Sequence, residues 1–438
     1  MHSSHAVGRR RGCRVALSGA AATVVLLALA ACSSSGTSAP KSSSGPAGGG
    51  GGSSAAATGG EIKIGFTNQT AGSLGTYPEV TAAFDAAVSY INTELGGVGG
   101  KKITLDKCVV DGTPATTQKC AQQMVQDKPN FVIWGNDYNA LAAWPILKAA
   151  GIFVIGQLPL TNADFSASNV AFFNPGTAGN GPGTAAYIAQ HPLPNKKFAT
   201  LVSQNPAALA AAQLLDKPLK DLGYSTHDAA VSPTATDYTS SLLSVHPQDV
   251  GGLSELLAAN GCVAFANAYG QQGLKTQVYA NQTCYAPDVL KSSGKYMVGW
   301  KVTELTQDPS GTTADAVTYR KAMSSYGGTN YITSGQAALA FSTMMTTYNN
   351  VLKPLASSQI TSSSVQQQLS GSGKSGPVFL GGHYTCGVVK ALPSVCGTQL
   401  FMYDIGPGPD YKLQVDAAQP GPIDITPVIE RSFPNHLG

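Results

Sequence analysis

Charge is the first thing this sequence lacks. Charged residues make up 12% of its 438 positions, about half the roughly one-quarter share of an ordinary globular chain. That excludes a coiled coil and a protein built on charged tails. The formal net charge of +3 has a single origin: Arg9, Arg10, Arg11 and Arg14 are four of the 27 basic residues, and the other 23 face 24 acidic ones. A body so near neutrality has no counterion-release footprint for DNA or RNA, so no nucleic-acid partner is expected. Catalytic patterns are equally scarce. There is no Gly-x-Ser-x-Gly elbow, no Cys/His pair free for nucleophilic work, and the carboxylates are few and scattered. No His-x-His or Cys-x-x-Cys spacing offers a metal site. The stretch Gly371 to Ser375 imitates a phosphate-binding loop, but Gln368 stands where that motif needs its first Gly, and Ser364 to Leu369 reads as a helix rather than a strand. The expectation is a non-enzyme without metal or cofactor.

What is present begins with an export segment. The arginines precede an apolar run from Val15 to Ala31, about the minimum that could span a bilayer. The run ends in Leu29-Ala30-Ala31-Cys32 followed by serines. This resembles the processing box of bacterial lipoproteins, which implies a signal peptide over 1–31 and acylation of Cys32. A twin-arginine route through Arg9-Arg10 stays open. Residues 32–60 are almost purely Ser, Gly, Ala, Thr and Pro after the Cys, a composition that cannot bury enough apolar area to order itself and reads as a tether.

Six cysteines remain beyond Cys13 and Cys32, in local pairs: Cys108 with Cys120, Cys262 with Cys284, Cys386 with Cys396. An even count outside the cytosol favours three disulfides over metal ligation. Each would close a short loop, worth on the order of 3 kcal/mol.

From Glu61 the chain alternates short apolar runs with helical periodicity, the pattern of parallel sheets covered by helices. Ile62 to Phe66 reads as a strand. Pro78 opens a helix with the stripe Val80, Phe84, Val88, Ile91 and Leu95, closed by Gly96-Gly97. Further strands are expected at Ile103–Leu105, Phe131–Trp134 and Ile152–Ile155, with a helix over Ala115–Gln126. After a Gly/Pro-rich crossing, Asn174 to Gly183, the alternation restarts at Phe198–Val202, with a helix from Ala207 to Leu222 kinked or broken at Pro218. Two such α/β units would hold a ligand between them, at the carboxyl ends of their strands.

These residues resemble the branched-chain amino-acid type of substrate-binding protein that serves ABC importers, the type I periplasmic binding fold. The likeness runs through Ile62 to Phe66, Ala82 to Gly100, Trp134-Gly135, Ala149 to Ile152, Gly176 to Ile188, Gln271 to Lys275, Ala337 to Leu339, Cys386 to Cys396 and Leu400 to Tyr403. It implies two doubly wound parallel-sheet lobes joined by a three-segment hinge. Crossings near Pro175, Gly299 and Gly397 would put 61–175 and 300–397 in lobe one. Lobe two would hold 176–299 and 398–430, leaving 431–438 as a tail.

The resemblance also implies site residues. In lobe one they are Asn136, Asp137 and Tyr138 after the third strand, Leu160 and Thr161 after the fourth, and Tyr331 as an aromatic wall. Asp137 either caps a helix or contacts a cationic or hydroxylated ligand. In lobe two they are Asn205 and Gln282, the latter where the family places the acid that pairs with a ligand ammonium. That acid is missing here. The implied function is a lipid-anchored, monomeric, extracytoplasmic protein that captures an amino acid, amide or aromatic acid by lobe closure. It would deliver the solute to an ABC permease with its ATPase subunits. The alternative is a sensing ectodomain acting through a signalling partner.

Overall fold

The computed structural model describes residues 56–72 and 75–437. The expected signal peptide and Cys32 lie outside them, as does most of the tether.

The first sheet is laid down by a regular alternation: β1 (Glu61–Gln69), α1 (Pro78–Glu94), β2 (Lys102–Val110), α2 (Pro114–Asp127), β3 (Phe131–Trp134), α3 (Trp144–Ala149), β4 (Val154–Gly156), α4 (Asn162–Ser166) and β5 (Val170–Phe172). Its order is β2-β1-β3-β4-β5, all parallel. α1 forms where the stripe predicts it. Pro78 sits in its first turn, Val80, Phe84, Val88 and Ile91 are buried, and Gly96 and Gly97 end it at positive φ.

The second sheet follows with α5 (Thr177–Gln190), β6 (Lys197–Ser203), α6 (Pro206–Asp221), β7 (Ser225–Val231), α7 (Thr239–Ser244), β8 (Gly252–Leu256), α8 (Ala259–Gln271), β9 (Val278–Ala280), α9 (Pro287–Met297) and β10 (Lys301–Glu304). The chain then gives α10 (Ala314–Ser325), α11 (Gly335–Thr347), α12 (Ser362–Leu369) and a small hairpin, β11 (Ser375–Pro377) with β12 (His383–Thr385). It closes with β13 (Gln399–Ile405), β14 (Leu413–Val415), β15 (Ile423–Asp424) and α13 (Thr426–Ser432). The sheet path is β14-β13-β10-β9-β8-β6-β7, with β15 on β13. β13 runs antiparallel to β10, so this sheet is mixed. We call the layers around the two sheets lobe one and lobe two. α10 and α11 return to lobe one, where Ala316, Tyr319, Ala338 and Phe341 share a core with Phe66 and Phe84.

Three sequence expectations change. The crossing expected near Gly299 falls later, because Lys301–Glu304 pairs with β9 and β13 inside the second sheet. The Gly/Pro-rich crossing is shorter, since α5 already begins at Thr177 and runs through Gly179, Gly181, Pro182 and Gly183. Those glycines are packing residues: a Cβ on Gly181 would come within 2.7 Å of the Leu215 backbone nitrogen, and one on Gly183 would collide with the Leu400 side chain. Finally, α6 continues through Pro218 to Asp221.

The first and last crossings lie against one another. Cys396 and Gly397 both donate backbone N–H groups to the Phe172 carbonyl, at 2.8 and 3.3 Å. A Cβ on Gly397 would collide with the Phe173 carbonyl oxygen. This close backbone approach brings the carboxyl ends of both sets of strands to a common cleft.

Candidate functional site between the lobes

Lobe one presents neutral polar groups at the ends of β1, β3 and β4. Asn136 follows β3 and is buried, its backbone N–H held by the Asn68 side chain at 3.2 Å. Its Nδ2 donates to Gln336 Oε1 at 3.1 Å, and Nε2 of the buried Gln157, just after β4, reaches the same oxygen at 3.4 Å. Both amide nitrogens are therefore spent on Gln336, in the first turn of α11. The opposite oxygens, Asn136 Oδ1 and Gln157 Oε1, are buried with no hydrogen-bond partner, as is Thr67 Oγ1 at the end of β1. Unsatisfied buried acceptors are costly, and three at one strand edge mark a place where something else donates. Tyr138 stands at the lip, its hydroxyl 2.6 Å from that of Tyr77.

Lobe two presents carboxylates. Glu255, at the end of β8, accepts from the Asn281 backbone and Nδ2 and from the Leu257 backbone. Glu304 ends β10, is 6% exposed, and makes no hydrogen bond or ion pair among the described residues. Burial pushes both acids up to about 8. Asp308 adds to the rise at Glu304, while donated backbone hydrogen bonds oppose it at Glu255. Glu304 opens into a pocket of about 390 Å³. Tyr285, Leu290 and Tyr411 line it from lobe two, and Thr333 and Gly335 from lobe one.

The eight ligand positions expected from sequence fare unequally. Asn136 and Tyr138 reach the strand ends with free functional groups or exposed surface. Asp137 is buried and faces inward, its carboxylate accepting from Thr117, Trp134 and the Asn139 backbone. Of its two sequence readings, the structural one describes these contacts, although Asp137 holds a turn rather than capping a helix. Thr161 is the N-cap of α4 in a reciprocal box with Asp164, and Leu160 donates its N–H to the same carboxylate. Asn205 caps α6. Gln282 opens a 3₁₀ turn after β9. Tyr331 packs partly buried against the lobe-one core. None of the eight lines the Glu304 pocket.

Sequence reasoning missed Gln157, Gln336, Glu255 and Glu304. Neither glutamate stands out in the sequence, since Glu255 lies in Gly-Leu-Ser-Glu-Leu and Glu304 in Lys-Val-Thr-Glu, short strands without an apolar run.

The three cysteine pairs are disulfides, Cys108–Cys120, Cys262–Cys284 and Cys386–Cys396. Glu255 lies with Cys262 and Cys284 in the one grouping of possible metal ligands among the described residues. The disulfide occupies both sulfurs, which leaves a lone carboxylate and no ligand set.

Two α/β lobes, adjoining first and last crossings and a polar cleft at the strand ends define a solute-binding protein of the type I periplasmic class. The sequence model of the family described as periplasmic binding protein matches residues 61–381, and the chain belongs to that family. Among curated protein sequences, none matches it. Solved structures share the fold. A solute-binding protein of an ABC transporter from Rhodopseudomonas palustris HaA2, in complex with p-hydroxybenzoic acid, is 15% identical with a TM-score of 0.66, covering 84% of this chain and 98% of its own. A putative branched-chain amino acid ABC transporter protein from Silicibacter pomeroyi is 14% identical with a TM-score of 0.68, covering 84% and 100%. A leucine-binding protein from Thermotoga maritima is 11% identical with a TM-score of 0.65, covering 83% and 99%. No helix among the described residues is long and apolar enough to cross a membrane.

Proposed function

We propose that this protein captures a small solute between its lobes, closes over it, and hands it to an ABC permease while tethered outside the cytoplasm by lipid on Cys32. The observation that carries this reading is a pocket of about 390 Å³ lined from both lobes, into which the buried, unpartnered Glu304 of lobe two opens opposite Thr333 and Gly335 of lobe one. That size suits an amino acid or a hydroxybenzoate, the kinds of solute found with or named for proteins of the same fold. Closure excludes water and strengthens each polar contact, which favours hinge motion coupled to binding. Membership of the periplasmic binding protein family supports capture rather than catalysis. Thermal-shift screening of the protein against amino acids, amides, amines, sugars and aromatic acids tests it. A solute that raises the melting temperature in a dose-dependent way is the expected result. Failure of every class to do so would contradict it.

A further inference from the structure

We infer that the solute carries a protonated amine, amidinium or guanidinium group, and that Glu304 is the residue that pairs with it. This rests on the solute-capture reading and names the solute's class.

Four features of the pocket lead there. Glu304 is buried, faces the open pocket and has no partner among the described residues. A carboxylate in that position is strongly disfavoured until something donates to it. Next, one oxygen of Glu304 lies 3.4 Å from where a Cβ on Gly335 would stand, at the N-terminus of the 13-residue α11. The positive end of that helix, which would otherwise attract an anionic solute, already faces a carboxyl group. Asp308 lines the same pocket and adds to the acidic field.

Outside this pocket, the open groups on lobe one that adjoin Gln336 are acceptors as well. Asn136 Oδ1 and Gln157 Oε1 are unpartnered, and their amide nitrogens are spent on Gln336, the neighbour of Gly335. The cationic side chains nearby are otherwise engaged or solvated. Lys291 and Lys412 are exposed at the rim, and Lys412 lies 3.9 Å from Asp410. Arg320 donates to the carbonyls of Pro309 and Gly311, and Lys301 is paired with Asp404 and Asp416. A donor-rich cation would pair with Glu304, whereas a carboxylate would meet this acid and Asp308.

Proton balance gives the test its sign. Burial and Asp308 raise Glu304 to about 8, so near neutrality it holds its proton. A cation binds the ionised form, and the carboxyl proton leaves to solvent. The phenols beside it, Tyr285 and Tyr403, are raised by burial and stay protonated through this range. Tyr411, Lys291, Lys412, Asp308 and Asp410 are the remaining titratable groups around the pocket.

The experiment is isothermal titration of the full-length protein with matched sets: 4-hydroxybenzylamine, 4-hydroxybenzamide and 4-hydroxybenzoate, then isobutylamine, isobutyramide and isobutyrate, at pH 6, 7 and 8. In whichever set binds, the amine should bind at least about tenfold tighter than the carboxylate. Its affinity should rise about tenfold from pH 6 to 7 and less steeply towards 8, since only the ionised fraction is competent. Glu304→Gln should abolish both the preference and the slope. If that variant does not fold, the wild-type slope decides. Preference for a carboxylate, or affinity that falls as pH rises, would overturn this inference and leave solute capture standing. Binding by no member of either set would overturn this inference alone, since solute capture is tested by the wider thermal-shift screen.

Discussion

The two lobes divide the polarity of the cleft unequally. Lobe one offers amides and hydroxyls that are locked to one another, with Asn136 and Gln157 both fixed on Gln336. Lobe two offers buried acids, Glu255 satisfied by three donors and Glu304 by none. The lobe-one face is neutral, with its amide nitrogens fixed on Gln336 and only neutral acceptors left open. A buried, unpartnered acid costs stability until a ligand arrives. The charge that selects a solute is thus concentrated in one lobe, and the other lobe supplies shape and acceptors.

The largest effect that would break this contrast is in the pH dependence of folding. Glu304 moves from an ordinary value of 4.5 to about 8 in the folded protein, so the folded state holds more protons than the unfolded one between those limits. Its contribution is therefore most favourable on the acid side and is lost as pH rises through about 8. Denaturant titrations at pH 5 and pH 9 should show the wild type losing up to about 4 kcal/mol more than Glu304→Gln over this interval. Equal losses in both proteins would show that Glu304 is not buried as an unpaired acid.

A second comparison sets one disulfide against another. The Cys108–Cys120 and Cys262–Cys284 bridges span 12 and 22 residues, and replacing either pair by serine should cost about 3 kcal/mol. Only the second should also weaken solute binding. Cys284 lies in the turn after β9, beside the Asn281 that Glu255 holds in place. Binding isotherms on the two double variants separate the cases, and equal weakening would deny lobe two its special role.

The smallest effect sharpens the picture of lobe one. Gln157→Leu removes a buried amide whose oxygen is unpartnered. Stability should stay level or rise by about 1 kcal/mol, while solute affinity falls by a similar amount. Loss of stability on melting would mean that this amide is already satisfied within the fold.

Much of the architecture was legible because it is local. The stripe of α1, the apolar runs of β1 and β3 and the three cysteine pairs all lie within short stretches, where periodicity and spacing carry the information. α5 was not legible, since glycines and a proline read as a crossing when taken alone. Only the approach of Leu215 and Leu400 explains why small residues are needed there. The site divides along the same line. Asn136 could be named as a polar residue after a strand, but Asp137, Thr161 and Asn205 share that description and are spent on turns and caps. Glu304 escaped notice because its role depends on burial against α11, which is 30 residues further along the chain and arrives from the other lobe.

The central claim is that a solute bound between these lobes closes them. Small-angle X-ray scattering of the full-length protein, with and without a saturating concentration of the solute that most raises its melting temperature, tests this directly. The account predicts a smaller radius of gyration and a shorter maximum dimension in the presence of solute. Superimposable scattering curves at demonstrated saturation would contradict it.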